Sequence, residues 1–481
     1  MLKSKLFQLL HSLSQAELRK FNDFVYSPYF NKHKQVSQLF TLLIADPIKF
    51  SKAQFTKETI GKTLFKNKKW KAQQVSDVMS YLTQLLEEFI ACEQYTNQKL
   101  LKKHYLLEQY NKRNLQAVFQ WTQGEYRQQF KKISLRDEAY YLQGFMFEKE
   151  VDAFLIKNEN RKSHESIQQK ADYLDLYYLT AKLKICCEML NRQNIVAANY
   201  DIKMLDEVLT YLSTHSELVS AYPSINIYYH IFLSLKESET SEHYFKLIKL
   251  LQQHHDQFTR EEARQMYDFA QNYCIKKINS GTGTFAAELL KLYKHLLSTQ
   301  LIFEGKYLSQ WDYKNITTIA LREEAYDWTK HFIVTYKEHL APEFRDNAYT
   351  YNLASYYYAV EKYKEALKLL QTVEFTDVFY HLGAKSLLLK AFYETDNAES
   401  FYSLIAAFRV YLRRNKKISE VQITNHFNLI NLAKKCFDLK YNDYSKFVFQ
   451  RKLQNIKSKI TASKNIANLA WISEKIKEFE K

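Results

Sequence analysis

NAYTYNLASYYYAVEKYKEALKLLQTVEF, residues 347–375, is the stretch whose reading decides the fold. Leu353, Ala354, Tyr357, Tyr363, Ala366 and Leu370 divide between two antiparallel helices. Ala354 and Ala366 are small enough to let those helices approach closely. The larger residues fill the groove between them and the next pair. A second hairpin, residues 385–412, repeats the idea, with Leu389 and Tyr393 each 36 residues after Leu353 and Tyr357. In that register Lys390 replaces the small Ala354. Residues 316–332 (ITTIALREEAYDWTKHF) read as a fainter third copy.

These positions resemble the tetratricopeptide pattern of leucine, small residue, tyrosine, second aromatic, alanine and large apolar residue. Thr350 stands where that pattern prefers Trp, and Val378 where it prefers Pro. The resemblance implies an all-α fold, a tetratricopeptide-like helical-hairpin solenoid following a helical N-terminal region. Ordinary helical hairpins of a bundle are the alternative.

Composition points the same way. The 481 residues include 7 Gly and 4 Pro, too few for the turns of a β-rich protein. Aromatic content of 15% suits helices that pack by bulky knobs, and a buried Tyr also offers a hydroxyl to a neighbouring helix. Five cysteines without a C-x-x-C pair argue for a reducing compartment. The adjacent Cys186 and Cys187 read as packing residues. With no signal peptide and no apolar run approaching the length of a membrane span, a soluble cytoplasmic protein is expected.

The net charge of +16 is uneven. Residues 1–120 hold 19 Lys/Arg against 9 Asp/Glu, and residues 434–481 hold 12 against 5, whereas the middle is nearly neutral. Basic ends are compatible with an acidic partner, nucleic acid or a membrane surface.

Near the N-terminus, Ser14 and Glu17 form a capping box, and Pro28 stops the helix it opens. SPYFNKHK (27–34), FTKETIGKTLF (55–65) and YLTQLLEEFI (81–90) are similar to the N-terminal region of a family of uncharacterised bacterial helical proteins. The resemblance extends to about residue 435. It implies a helical-repeat fold and carries no activity and no catalytic residues. The same region admits a helix-turn-helix reading, a short helix 57–64 followed by a long one from Ala72. Lys69, Lys71, Gln73 and Gln74 would then contact nucleic acid, although no β wing follows.

Organisation is expected in three parts: 1–96, a basic helical region; 97–300, about ten helices in an irregular hairpin array; and 301–481, the repeats with C-terminal capping helices. Thr259 to Glu262 reads as a second capping box, Pro223 as a first-turn proline, and Asn279 to Thr284 as a break. Trp471 is expected to seal the end of the stack.

Searching for chemistry returns little. Gly281-Thr282-Gly283 lacks the following Gly-Lys and preceding strand of a phosphate loop. No H-E-x-x-H, Glu-x-x-His or G-x-S-x-G motif occurs. Glu148 and Asp152 share one helical face as paired carboxylates, which Lys149 and Lys157 make a solvated face. No catalytic residue, metal site or cofactor is assigned, and the chain is expected not to be an enzyme. The favoured reading is a scaffold holding a protein or peptide partner. Its groove is lined by Tyr349, Asn352 and Tyr356, with Leu353 and Tyr357 turned to the core. Arg409, Arg413 and Arg414 would capture an acidic peptide end. A nucleic-acid-associated regulator using the basic N-terminal region is the alternative.

Overall fold

Seven glycines and four prolines leave the chain little with which to interrupt a helix. Its computed structural model describes residues 4–45, 56–65, 69–158, 165–196, 199–236, 240–372, 377–462 and 465–480. Among these are 24 α-helices and no β-strand. The β-type pairing seen there is two isolated bridges, Glu304 with Tyr307 and Leu308 with Leu340. Among the described residues, no helix is long and apolar enough to cross a membrane.

The chain divides into two compact units, residues 1–182 and 183–481. The first holds α1 (Lys5–Ser12), α2 (Gln15–Tyr26), α3 (Lys34–Ile44), α4 (Lys57–Leu64), α5 (Ala72–Asn97), α6 (Lys99–Lys112), α7 (Gln116–Lys131) and α8 (Glu138–Lys157). The division falls within α9 (Glu165–Val196), whereas the sequence reading placed boundaries after residues 96 and 300.

Helix α5 is the spine of the N-terminal part. Helices α1 to α4 all pack on it, burying Phe7, Phe21, Phe40, Leu82, Leu86 and Phe89 in one cluster. The capping box at Ser14 is complete: Glu17 N–H donates to the Ser14 hydroxyl, and Ser14 N–H to the Glu17 carboxylate at 2.7 Å.

The second unit continues with α10 (Leu205–Thr214), α11 (Ser216–Ala221), α12 (Pro223–Lys236), α13 (Glu242–His254), α14 (Arg260–Asn279), α15 (Phe285–Ser298), α16 (Gln310–Arg322), α17 (Tyr326–Thr335), α18 (Pro342–Ala359), α19 (Tyr363–Thr372), α20 (Val378–Glu394), α21 (Ala398–Arg414), α22 (Glu420–Tyr441), α23 (Lys446–Ala462) and α24 (Leu469–Glu478). Pro223 opens α12, where its missing N–H costs nothing. Thr259 caps α14, but Glu262 does not complete a capping box. Its carboxylate instead accepts from Tyr228 Oη at 2.6 Å and pairs with Lys184 at 3.1 Å.

One backbone turn recurs between paired helices. At Gly281, Glu324, Glu361 and Asp396 the chain enters the left-handed region, with φ of 95°, 55°, 59° and 56°. The following N–H closes a six-residue ring each time: Thr282 to Lys277 O, Ala325 to Ala320 O, Lys362 to Tyr357 O, and Asn397 to Phe392 O. This is the Schellman termination. Asn114 makes the same turn between α6 and α7 in the first unit. Three of the four turns in the second unit use a charged residue where glycine is preferred.

The turns also correct a register. Glu361 and Asp396 lie 35 residues apart, one fewer than the spacing read from Leu353 and Leu389. Leu389 therefore takes the place of Ala354, both fully buried, and Lys390 takes the place of Ser355. Lys390 is not a degraded small position; it belongs to a different face.

Candidate functional site

First helices of successive hairpins pack side by side: α16 on α18, α18 on α20, and α20 on α22. Each turns the same helical face to one cleft. Lys314 and Thr318 of α16, Tyr351 and Ser355 of α18, Ser386 and Lys390 of α20, and Gln422 and His426 of α22 are pairs four residues apart. Successive pairs lie 37, 35 and 36 residues apart. They line a cleft of about 950 Å³.

Its floor is set by a glycine. A β-carbon at Gly383 would lie 2.8 Å from Tyr351 Oη and 3.0 Å from two atoms of its ring. Only glycine lets the Tyr351 ring lie against α20 here. Lys314 holds its ammonium 5.1 Å from the ring centroids of both Tyr351 and Tyr380. Lys390 sits in the same manner over Tyr358, at 4.4 Å. Neither lysine forms an ion pair among the described residues. Burial pulls Lys314 below its ordinary value, with Asp377 opposing. Burial also pulls Lys390 down to about 8, although Glu394 and Glu474 act to raise it. Between them in the helical row, Ser386 is 4% exposed, and its hydroxyl finds no hydrogen-bond partner among the described residues.

Glu394 closes one end of the cleft and is already fully engaged. It accepts from Trp471 Nε1 at 2.8 Å and Tyr358 Oη at 3.3 Å, and pairs with Lys475 at 3.0 Å. Trp471 packs edge-on against Tyr393. Glu324, Glu361 and Glu474 also line the cleft, yet Lys314 and Lys390 are partly desolvated and form no ion pair among the described residues.

The groove residues chosen from sequence lie elsewhere. Asn352 is 1% exposed and donates to Ala348 O at 2.8 Å, and Tyr356 is also buried. Leu353 and Tyr357, assigned to the core, are less buried than either. Tyr349 is half-buried, with Lys337 over its ring at 4.5 Å. The face of α18 that meets the cleft is Tyr351, Ser355 and Tyr358. Arg409 is half-buried and donates to Asn431 Oδ1 at 2.7 Å, while Arg413 and Arg414 are exposed on α21.

In the N-terminal region, α4 and α5 form where the sequence placed them. Lys69, Lys71, Gln73 and Gln74 are all exposed at the start of α5. Gln74 accepts from Lys71 N–H, and Gln73 donates to Asp77, so both glutamines serve the helix end. The solvated-face reading of Glu148 and Asp152 is overturned. Both are buried, on the side of α8 that packs inward. Asp152 pairs with Lys170 at 2.5 Å, and burial raises the Glu148 carboxyl, which Arg127 only partly offsets from 3.7 Å. Cys186, Cys187, Cys274 and Cys436 are buried, and burial pushes the last two thiols up to about 12, which leaves them unreactive.

Among the described residues no group of three or more His, Cys, Asp or Glu is placed to hold a metal ion. Comparison with protein-family models, curated proteins and solved structures finds no match to this chain.

Proposed function

We propose that the chain is a non-enzymatic helical-repeat scaffold whose α16–α18–α20–α22 groove holds an acidic segment of a partner protein. In this reading the hairpins stack as a short tetratricopeptide-like solenoid, and the groove is the surface such stacking generates. Lys314 and Lys390 carry the argument. Each is partly desolvated and set over a tyrosine ring, and neither forms an ion pair among the described residues. Burial outweighs the carboxylates around these cations, so holding them there costs stability, and an incoming carboxylate recovers part of that cost as binding energy. Ser386 adds a hydroxyl whose hydrogen bond is unmade. The tyrosine faces supply apolar contact to the stems of acidic side chains. The similarity of the SPYFNKHK region to uncharacterised bacterial helical proteins fits a scaffold and adds no activity.

A peptide array presenting acidic, neutral and basic sequences to the full chain tests this. Acidic sequences are expected to be selected, and their signal lost in Lys390→Met and Lys314→Met. Equal retention of all three classes, or selection unaffected by either variant, contradicts the proposal.

A further inference from the structure

The groove leaves the cationic surplus after residue 433 unexplained. Of the 12 Lys/Arg there, Lys440 pairs with Asp396, Lys457 with Glu480, and Lys475 with Glu394 and Glu478. Three of the others converge on one place. Lys435 of α22 and Arg451 and Lys452 of α23 line a cleft of about 290 Å³ between those helices, and none forms an ion pair among the described residues. Their positions are held by neutral groups. Lys435 Nζ donates to Asn455 Oδ1 at 3.2 Å, and the Lys452 ammonium lies 4.5 Å from the Tyr444 ring centroid. The one carboxylate lining the cleft, Asp438, accepts from Tyr402 Oη at 2.5 Å.

We propose that the α22–α23 cleft is a binding site for a phosphate monoester or inorganic phosphate, clasped by Lys435, Arg451 and Lys452. The cations are crowded as well as unpaired. Burial, then the neighbouring Lys459 and Lys452, pull Lys435 down to about 8. A phosphate dianion of charge about −1.5 to −2 reverses that repulsion. Its oxygens match the point charges of two lysines and the planar fork of an arginine. Asn455 completes the set, because its Oδ1 faces Lys435 and leaves its Nδ2 to donate. The cleft lies near the lower limit of small-ligand cavities, which suits one phosphate and its ester oxygen rather than a polymer.

Calorimetric titration of inorganic phosphate, and separately phenyl phosphate, into the full chain at neutral pH and physiological ionic strength tests the site. One-site saturation is expected, weakened by at least about tenfold in Lys435→Gln and in Arg451→Gln, and unchanged in Lys362→Gln, on the turn after α18. Lys435→Gln relieves crowding and should fold at least as well as the parent. Arg451 is exposed, so Arg451→Gln keeps the test if it does not. Absence of saturation, or saturation indifferent to both substitutions, overturns the proposal. So does tight, steeply salt-dependent binding of a single-stranded oligonucleotide that phosphate fails to displace, since that marks a polyanion surface.

Discussion

Trp471 Nε1 and Tyr358 Oη donate to the same oxygen, Oε1 of Glu394, from helices α24 and α18. The other partner, Lys475, is 6% exposed. Removing the carboxylate leaves a buried ammonium with only Glu478, itself half exposed, to answer it. Glu394→Gln is therefore expected to cost about 3 kcal/mol in urea unfolding. Trp471→Phe should cost less, and the double variant should fall short of the sum, because both act on one network. Strict additivity would show that α24 is not fastened through Glu394.

Lys390 gives the groove a pH signature. Its folded value of about 8 lies below its ordinary 10.5, so between those limits the folded chain binds fewer protons than the unfolded one. This group's contribution therefore makes stability rise with pH through that window, and Lys390→Met should flatten the rise. An acidic ligand holds the lysine protonated, so above about 8 its affinity should fall about tenfold per pH unit, with about one proton taken up on binding there and little uptake at lower pH. Titration in buffers of different ionisation enthalpy reads both.

Two glycines should respond in opposite directions to the same substitution. Gly124 is exposed inside α7 with nothing within 4 Å of an added β-carbon, so Gly124→Ala should stabilise by about 0.5–1 kcal/mol. Gly383→Ala must displace the Tyr351 ring and should destabilise by about 1–3 kcal/mol. It should also weaken groove binding, since Lys314 rests on that ring. Thermal melts and peptide titration separate the two effects.

The helix pairs were legible in the sequence because hairpin packing writes itself in small and large apolar residues. Ala354 and Ala366 are fully buried, as close helix approach requires. The groove was not legible, for two physical reasons. Glu361 and Asp396 adopt left-handed turns, a conformation that glycine favours, that aspartate visits only occasionally and that glutamate is not expected to take, and those turns fix the spacing at 35. A register one residue too long turned Lys390 from a lining cation into a faulty core position. The phase of α18 was misjudged as well, because tyrosines occupy most of its sides and polarity alone does not separate Asn352 from Ser355. Pairs recurring at Lys314/Thr318, Tyr351/Ser355 and Ser386/Lys390 were the signal available, but they share position rather than residue type. Glu148 and Asp152 misled in the opposite sense: neighbouring lysines suggested solvent, while the carboxylates face inward.

The turn itself can be probed. Glu361 is exposed at φ 59°, a conformation costing a side-chain-bearing residue about 1–2 kcal/mol. Glu361→Gly should raise the melting temperature once the extra freedom of the unfolded glycine is subtracted, and Glu361→Ala should not. Asp396→Gly should gain less, because it also loses the pair with Lys440.

The central claim rests on Lys390, and one titration addresses it most directly. An acidic peptide chosen by the array is titrated at neutral pH into the parent chain, into Lys390→Met, and into Lys276→Met, which removes an exposed cation of α14 that lines neither cleft. Binding that weakens by about tenfold or more in Lys390→Met alone is the expected result. Equal affinity in all three proteins, or equal loss in both variants, would show that the groove does not read negative charge through Lys390.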